Sequence, residues 1–396
     1  MKERKNEAVF MAVVVLFWFA QYIYIPYQTT YLTGAGVAAS TVGTIVGAYG
    51  MAQMILRLPV GVSADRVGRH KPFIMIGALA AGGASLVRVL WCNGVGFLTG
   101  NLLSGLASAM WISFMIFYTE KYTGKEQQSA TGRIVMFNNL GILLGFTASA
   151  LLYAKIGMGK ICILSVAAGC AAFLLSLLLR EPEATGGGYT VRELLCVCKG
   201  RQLWMFALVA LIQQGVQLTT TMSFTNQILK NAGATDAVVG ISSIIYMISA
   251  VLFAAFASSE ICGKKGPGFW IPVVLCVVAA YCILVPIAGS VPVILVLQIL
   301  PGMSTGILFS YATSEAMQGI PAEKKSTAMG FFQAVYAIGM TMLPTMTGKI
   351  IGVSGIQAGY LVLAGIAAAG AAATVMWYRH CPQKRDKNLE IPGKSS

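Results

Sequence analysis

The residues able to do chemistry in this chain are few, and they are of two kinds. Polar side chains stand at helical intervals inside apolar runs: Gln21, Tyr24 and Gln28 lie three and four residues apart, and Gln213, Gln217 and Thr220 do much the same. With 3.6 residues per turn, each trio occupies one face of a helix. Such a face binds a polar solute by hydrogen bonds and offers no activated nucleophile or general base. The second kind is charge, gathered in "GVSADRVGRHKPF", residues 61 to 73, an island between two long apolar runs. A carboxylate there meets guanidinium groups or a helix start, and such contacts form in one arrangement and break in another.

The setting of both is a lipid bilayer. Of 396 residues, 57% are hydrophobic and 11% charged, with a mean hydropathy of +0.74, whereas a soluble domain carries roughly 25% charged residues. Apolar stretches of about 20 residues, enough to cross about 30 Å of hydrocarbon, recur twelve times. They cover about 8–31, 40–62, 73–92, 95–118, 131–154, 158–179, 203–228, 236–258, 269–288, 291–313, 327–350 and 356–378. The first is too long for a signal-peptide core and reads as retained. Kinks are expected at Pro26, Pro286, Pro301 and Pro344.

With both termini on the inner side, every Lys and Arg except Lys155, Lys160, Lys230, Lys349 and Arg88 falls on that side or at its membrane edge, as the positive-inside rule requires. The net charge of +14 is therefore topological. It is spread over short loops and tails, which excludes a nucleic-acid partner and leaves anionic lipid.

The chain also repeats itself. Asp65, Gly68, Arg69 and Pro72 meet Glu260, Gly263, Lys264 and Pro267, each 195 positions on, and Glu120 meets Glu315 at the same offset. Gly132 and Gly141 recur 198 positions later as Gly330 and Gly339. Parallel repeats of six helices with the substrate between them are one plan of secondary transporters. The stretch Gly61 to Lys71 resembles the loop signature G-x-x-x-D-R-x-G-R-[RK]-[RK] of the major facilitator superfamily, and the helix count, duplication and linker position fit the same family. The resemblance implies an all-α membrane protein of twelve transmembrane helices in two pseudo-symmetric six-helix bundles. Residues 1–180 would form the first bundle, 181–202 a cytoplasmic linker with an amphipathic helix on the inner leaflet, 203–378 the second bundle and 379–396 a cytoplasmic tail. It further implies that Gly61 lets span 2 pack on span 11, while Asp65, Arg66, Gly68 and Arg69 join Glu120 in a latch. Glu260, Lys264 and Glu315 would form the weaker latch of the second half.

In that family spans 1, 4, 7 and 10 line the cavity. The substrate-binding candidates are accordingly Gln21, Tyr24, Gln28, Asn101, Trp111, Gln213, Gln217, Thr220, Gln298 and Tyr311, with Asn138, Asn139, Gln333, Tyr336 and Tyr246 in a second tier. Arg88 is the one charge well inside a span. Its favoured reading is a side chain snorkelling to the outer headgroups; if it reaches the cavity instead, it selects an anionic group.

All 14 acids lie in loops, tails or span ends. A mid-membrane carboxyl that titrates with access is missing, which weakens the alternative of drug or metabolite efflux by proton antiport. Asn101 stands where many such antiporters have arginine, and span 5 lacks their Gly-Pro signature. An enzyme is not expected, since no cluster of acid, base or metal ligands appears. Cys196 and Cys198 lack the spacing of a zinc or redox pair, so no metal and no cofactor is expected. The expectation is a monomeric secondary transporter of the plasma membrane (a bacterial inner or cell membrane), both termini cytoplasmic, that moves a small polar solute, neutral or weakly anionic, by rocker-switch alternating access.

Overall fold

The computed structural model describes residues 2–37, 39–122, 124–181 and 189–380. The glycine triplet of the linker and all but the first residues of the tail lie outside them. Among the described residues the regular structure is helical throughout. Ten helices among the described residues are long and apolar enough to cross a membrane, and two of these are double. We label the crossings α1 (Lys5–Gln28), α2 (Thr44–Val67), α3 (Lys71–Leu90), α4 (Gly94–Thr119), α5 (126–156), α6 (158–177), α7 (Arg201–Asn231), α8 (Ala237–Ala257), α9 (Pro267–Ile287), α10 (Val291–Met317), α11 (325–354) and α12 (356–380).

Twelve crossings arise because the double helices break at Gly157 and Gly355, with φ of 73° and 83°. Only glycine takes that region without strain, and it reverses the chain without a loop. These glycines are 198 positions apart, and the same offset relates other contacts. Gly141 of α5 packs on Val15 and Trp18 of α1, while Gly339 of α11 packs on Leu211 of α7. Gly132 of α5 meets Ser258 at the end of α8, while Gly330 of α11 meets Arg57 of α2. In lipid, helices associate through close backbone approach and interhelical hydrogen bonds more than through apolar burial, so small residues mark the contacts. The repeat seen in sequence is thus a repeat of packing: two six-helix bundles. Exposed leucines and valines such as Leu79, Leu90, Leu151, Leu174 and Val353 form the outer apolar surface.

The bundles meet at the end that carries Asp65. There α2 lies on α11 and α5 on α8, with Gln128 Nε2 donating to the Ala257 carbonyl at 2.7 Å and Ser129 Oγ to the Ser258 carbonyl at 2.8 Å. Toward the other end α2 and α11 part: Val46 is 45% exposed, and nothing stands within 4 Å of a Cβ placed on Gly50. The start of α1 and the end of α12 are both at the charged end, where Asn6 bonds Arg180 and Tyr378 bonds Glu315.

Of the expected proline kinks, Pro26 follows a turn at Ile23 and Tyr24 in α1, and Pro286 lies in a 3-10 turn. Beyond Pro301, α10 widens to a π turn at Ser304–Leu308, and α7 has one at Thr220–Phe224. The hydroxyls of Thr219 and Thr220 bond the carbonyls of Gly215 and Val216, one turn back, which competes with the ladder. Pro344 sits within helical backbone.

The linker is partly helical. Its helix is five residues, Val191–Leu195, opened by a capping box of Thr190 and Glu193. Leu194 is fully buried and Val197 packs on the main core, so apolar burial holds the linker against the bundles, while Val191 and Leu195 stay exposed.

Candidate functional site

Two small polar clusters occupy corresponding places in the halves. In the first, Gln21 of α1 donates to the Ser104 carbonyl at 2.9 Å and to Ser108 Oγ of α4 at 3.0 Å, and the Tyr49 hydroxyl of α2 meets the same Ser108 Oγ at 2.7 Å. In the second, Gln217 of α7 donates to the Tyr246 hydroxyl of α8, Tyr246 meets Thr305 Oγ1 of α10 at 2.9 Å, and Thr305 donates to Gln217 Oε1 at 3.1 Å. Gln21 and Gln217 are 196 positions apart, while Tyr49 and Tyr246, and Ser108 and Thr305, are each 197 apart. The duplication has therefore copied a Gln–Tyr–hydroxyl triad into each half. Gln213 extends the second triad by donating to Gln217 at 2.8 Å. The carbonyl oxygens of Gln21 and Gln213 are buried without a partner, a condition that a solute hydroxyl or amide would relieve.

Arg88 of α3 does not snorkel. It is 1% exposed, and its Nη2 donates to Tyr24, Asn101 and Ser104 at 2.9, 2.8 and 2.8 Å while Nη1 reaches Ser85 at 3.2 Å. Its guanidinium also lies over the Tyr24 ring, 3.8 Å from the centroid. Four neutral acceptors from α1, α3 and α4 hold the charge inside the bundle, a better solvation than an apolar path to the headgroups offers. Gly100 makes room, since a Cβ there would meet Arg88 Cγ at 2.8 Å. Asn101 is pinned on its other side, donating to the Ile45 carbonyl at 2.7 Å. Arg88, Tyr24 and Asn101 thus form a staple behind the first triad.

Other candidates disperse. Trp111 stacks on Phe17 and meets Trp18 edge-on, with centroids 6.5 and 5.1 Å away. Gln28 is buried near the far end of α1. Thr220 opens the π turn of α7 and bonds its own helix. Gln298 donates to Ser242 at 2.8 Å in a separate cluster with Tyr281, Thr225 and Tyr360. Tyr311 lies away from the triads altogether: its hydroxyl donates to the Cys262 carbonyl at 3.1 Å, because α10 carries it to the charged end.

At the charged end the acid of the island caps a helix of the other half. Asp65 is 4% exposed and accepts from the backbone N–H groups of Ser326 and Thr327 at 2.9 and 2.6 Å, at the start of α11. Charge at a helix N-terminus and two unpaired donors are satisfied together. A Cβ on Gly61 would run into the Ser326 carbonyl, so this approach needs glycine. Gly68 turns the chain with φ of 65°. Arg66 and Arg69 are exposed and form no ion pair among the described residues. It is His70 that faces Glu120, with Nε2 3.7 Å from the carboxylate, because the turn at Gly68 swings Arg69 outward and His70 in. Burial lowers the His70 pKa to about 4 and raises that of Glu120, so at neutral pH His70 is uncharged. Glu181 accepts from the N–H groups of His70 and Lys71.

The second latch is not a copy. The left-handed turn belongs to Gly266, 198 positions after Gly68, and Gly263 is helical. Glu260 and Lys264 are exposed and form no ion pair among the described residues. Glu315 lies inside α10, whereas Glu120 closes α4; it accepts from Tyr378 at 3.1 Å, and its backbone carbonyl accepts from Gln202 at 2.8 Å. The 195-residue register of the sequence comparison slips to 198 in the fold. Sequence reading also passed over Tyr49, Ser104, Ser108 and Thr305, although carrying the repeat through spans 2, 4, 8 and 10 would have paired Tyr49 with Tyr246. No group of three or more metal-ligating side chains occurs among the described residues.

Comparison with known proteins places the chain among transporters. The sequence profile of the Major Facilitator Superfamily matches residues 10–341 and, overlapping, 227–394. A stretch of 85 residues is 31% identical to the inner membrane transport protein YajR of Escherichia coli K12, covering 21% of this chain and 18% of that relative. In structure it is similar to the human organic anion transporter MFSD10 (TETRAN), with a TM-score of 0.79 over 94% of this chain and all of the other at 14% identity. It is also similar to a variant of the Escherichia coli fucose:proton symporter FucP, with a TM-score of 0.76 over 95% and 98% of the two chains, again at 14% identity.

Proposed function

This chain belongs to the Major Facilitator Superfamily, a family of secondary transporters, and on that premise we propose that it carries a small polar solute, neutral or weakly anionic, by rocking its two halves about the paired triads. The single observation that carries this reading is the duplicated Gln–Tyr–hydroxyl cluster, with Gln21 and Gln217 at matching places. Hydrogen-bonding groups are tolerated in a membrane interior when they face other helices or a wet cavity, and two matched sets offer a solute one contact from each half. The arrangement closed at Asp65 and parted at Gly50 is then one of two end states. By the distribution of Lys and Arg the charged end is cytoplasmic, with both termini on that side of a plasma membrane. The inner-membrane location in YajR's name agrees, and a monomer suffices.

The test is flux in proteoliposomes loaded with a metabolite pool, with and without a pH gradient. A disulfide between Ser129→Cys and Ser258→Cys should hold the charged end shut and stop transport until it is reduced. Gln21→Ala and Gln217→Ala should each lower flux at unchanged expression. Undiminished transport through the cross-linked protein would end the alternating-access reading, and wild-type flux in both alanine variants would remove the triads from the site. Flux indifferent to the pH gradient indicates uniport or exchange, and dependence on it proton coupling.

A further inference from the structure

Arg57 is a buried charge that neither latch nor triad uses. It lies on α2 four residues before Gly61 and is 4% exposed. Its Nη1 crosses to the other half and donates to the Gln333 carbonyl of α11 at 2.9 Å, its Nη2 donates to Gln53 Oε1, and its guanidinium lies 4.6 Å from the Tyr336 ring centroid. All of these partners are neutral, and Arg57 forms no ion pair among the described residues. Two donors on this face, Arg57 Nε and Gln53 Nε2, are buried without any partner.

Helix packing does not call for this arginine. Gly330 lies against the Arg57 carbonyl as Gly132 lies near that of Ala254, 197 positions after Arg57, and alanine suffices there. Both buried arginines leave Nε without a partner, but Arg88 has four acceptors and Arg57 only two, so the burial of the Arg57 charge is the less offset. The same face of α2 leads to Gly50, seven residues away and about 10 Å along the axis, where the wedge between α2 and α11 stands open. Arg57 and Gln53 therefore form the floor of that wedge.

We propose that Arg57 and Gln53 bind the anionic group of the transported solute, a carboxylate or phosphate, and that its arrival draws the guanidinium off the Gln333 carbonyl and loosens α2 from α11. A guanidinium offers an oxyanion two parallel N–H bonds, which a backbone carbonyl cannot match. The proposal deepens the alternating-access reading and rests on it.

Its test needs no knowledge of the solute. With the native cysteines replaced by serine, Gly50→Cys is a probe in open space, and its modification is timed with methanethiosulfonates bearing a sulfonate or a quaternary ammonium. Relative to free cysteine the anionic reagent should be favoured, by about tenfold for one poorly screened charge at this distance. Arg57→Gln should abolish that preference and Arg57→Lys keep it. Inorganic phosphate or lactate should slow the labelling with Arg57 present and not in Arg57→Gln, and the more effective of the two names the group. A preference unchanged in Arg57→Gln, or labelling indifferent to both anions, overturns the proposal. Should Arg57→Gln fail to fold, Gln53→Leu decides: it should keep the reagent preference and lose the protection, and retained protection refutes the site. Labelling involves no flux and the disulfide experiment no charge, so the failure of one is distinct from the failure of the other.

Discussion

Replacing Asp65 by alanine removes a carboxylate that one half places on a helix start of the other. The magnitude follows from its two bonds, at 2.9 and 2.6 Å to the Ser326 and Thr327 amides in a buried setting. Hydrogen bonds to a charged group contribute about 1.5–3 kcal/mol each, and some of this returns as water reaches the freed amides, so about 3 kcal/mol of preference for the closed charged end should vanish. At about 1.4 kcal/mol per factor of ten, the closed-to-open ratio falls roughly 150-fold. Asparagine, which accepts from one amide and presents its own N–H to the other, should lose about half of that in free energy, a roughly tenfold shift. The assay is the rate of disulfide formation between Ser129→Cys and Ser258→Cys, positions joined across the interface by the Ser129 hydroxyl and the Ser258 carbonyl. Both Asp65 variants should cross-link more slowly, alanine the more so, while remaining monodisperse. A wild-type rate in the alanine variant, or a lower melting temperature without any change in cross-linking, would show that Asp65 supports the fold and does not bias the gate.

Further outcomes follow from neighbouring contacts. Gly61→Val should push α2 off the Ser326 carbonyl and give the same slow cross-linking together with lost transport; normal flux would refute the close-approach argument. Arg88→Gln strands acceptors on Tyr24, Asn101 and Ser104 inside the bundle and should lower unfolding stability by about 3 kcal/mol; a fall under about 1 kcal/mol would mean that the staple is not structural. Acid stability should depend on His70, whose pKa falls from 6.5 to about 4 on burial. The unfolded chain takes up that proton first, so its share of stability is intact above pH 6.5 and is lost as pH falls toward 4, by about 2 kcal/mol at pH 5. Glu120, raised by burial, acts in the opposite sense. His70→Gln should therefore melt with less acid sensitivity than the wild type between pH 6.5 and 5, and an equal slope would refute the assignment.

Local composition was enough to establish much of this protein. Twenty apolar residues in hydrocarbon have no arrangement but a helix, so the spans, their even number and the loop signature were legible in sequence. The matching polar faces of spans 1 and 7 were legible for the same reason, since helical periodicity is a local property. What the tertiary structure decided was every choice of partner. Arg88 stays inside because Tyr24, Asn101, Ser85 and Ser104 converge on it from separate helices. Asp65 meets backbone amides 261 and 262 residues away in place of a neighbouring arginine, and His70 rather than Arg69 turns toward Glu120. The linker helix docks because Leu194 finds a buried site. In each case the energy depends on which groups lie within about 3 to 4 Å, and chain neighbours do not determine that distance.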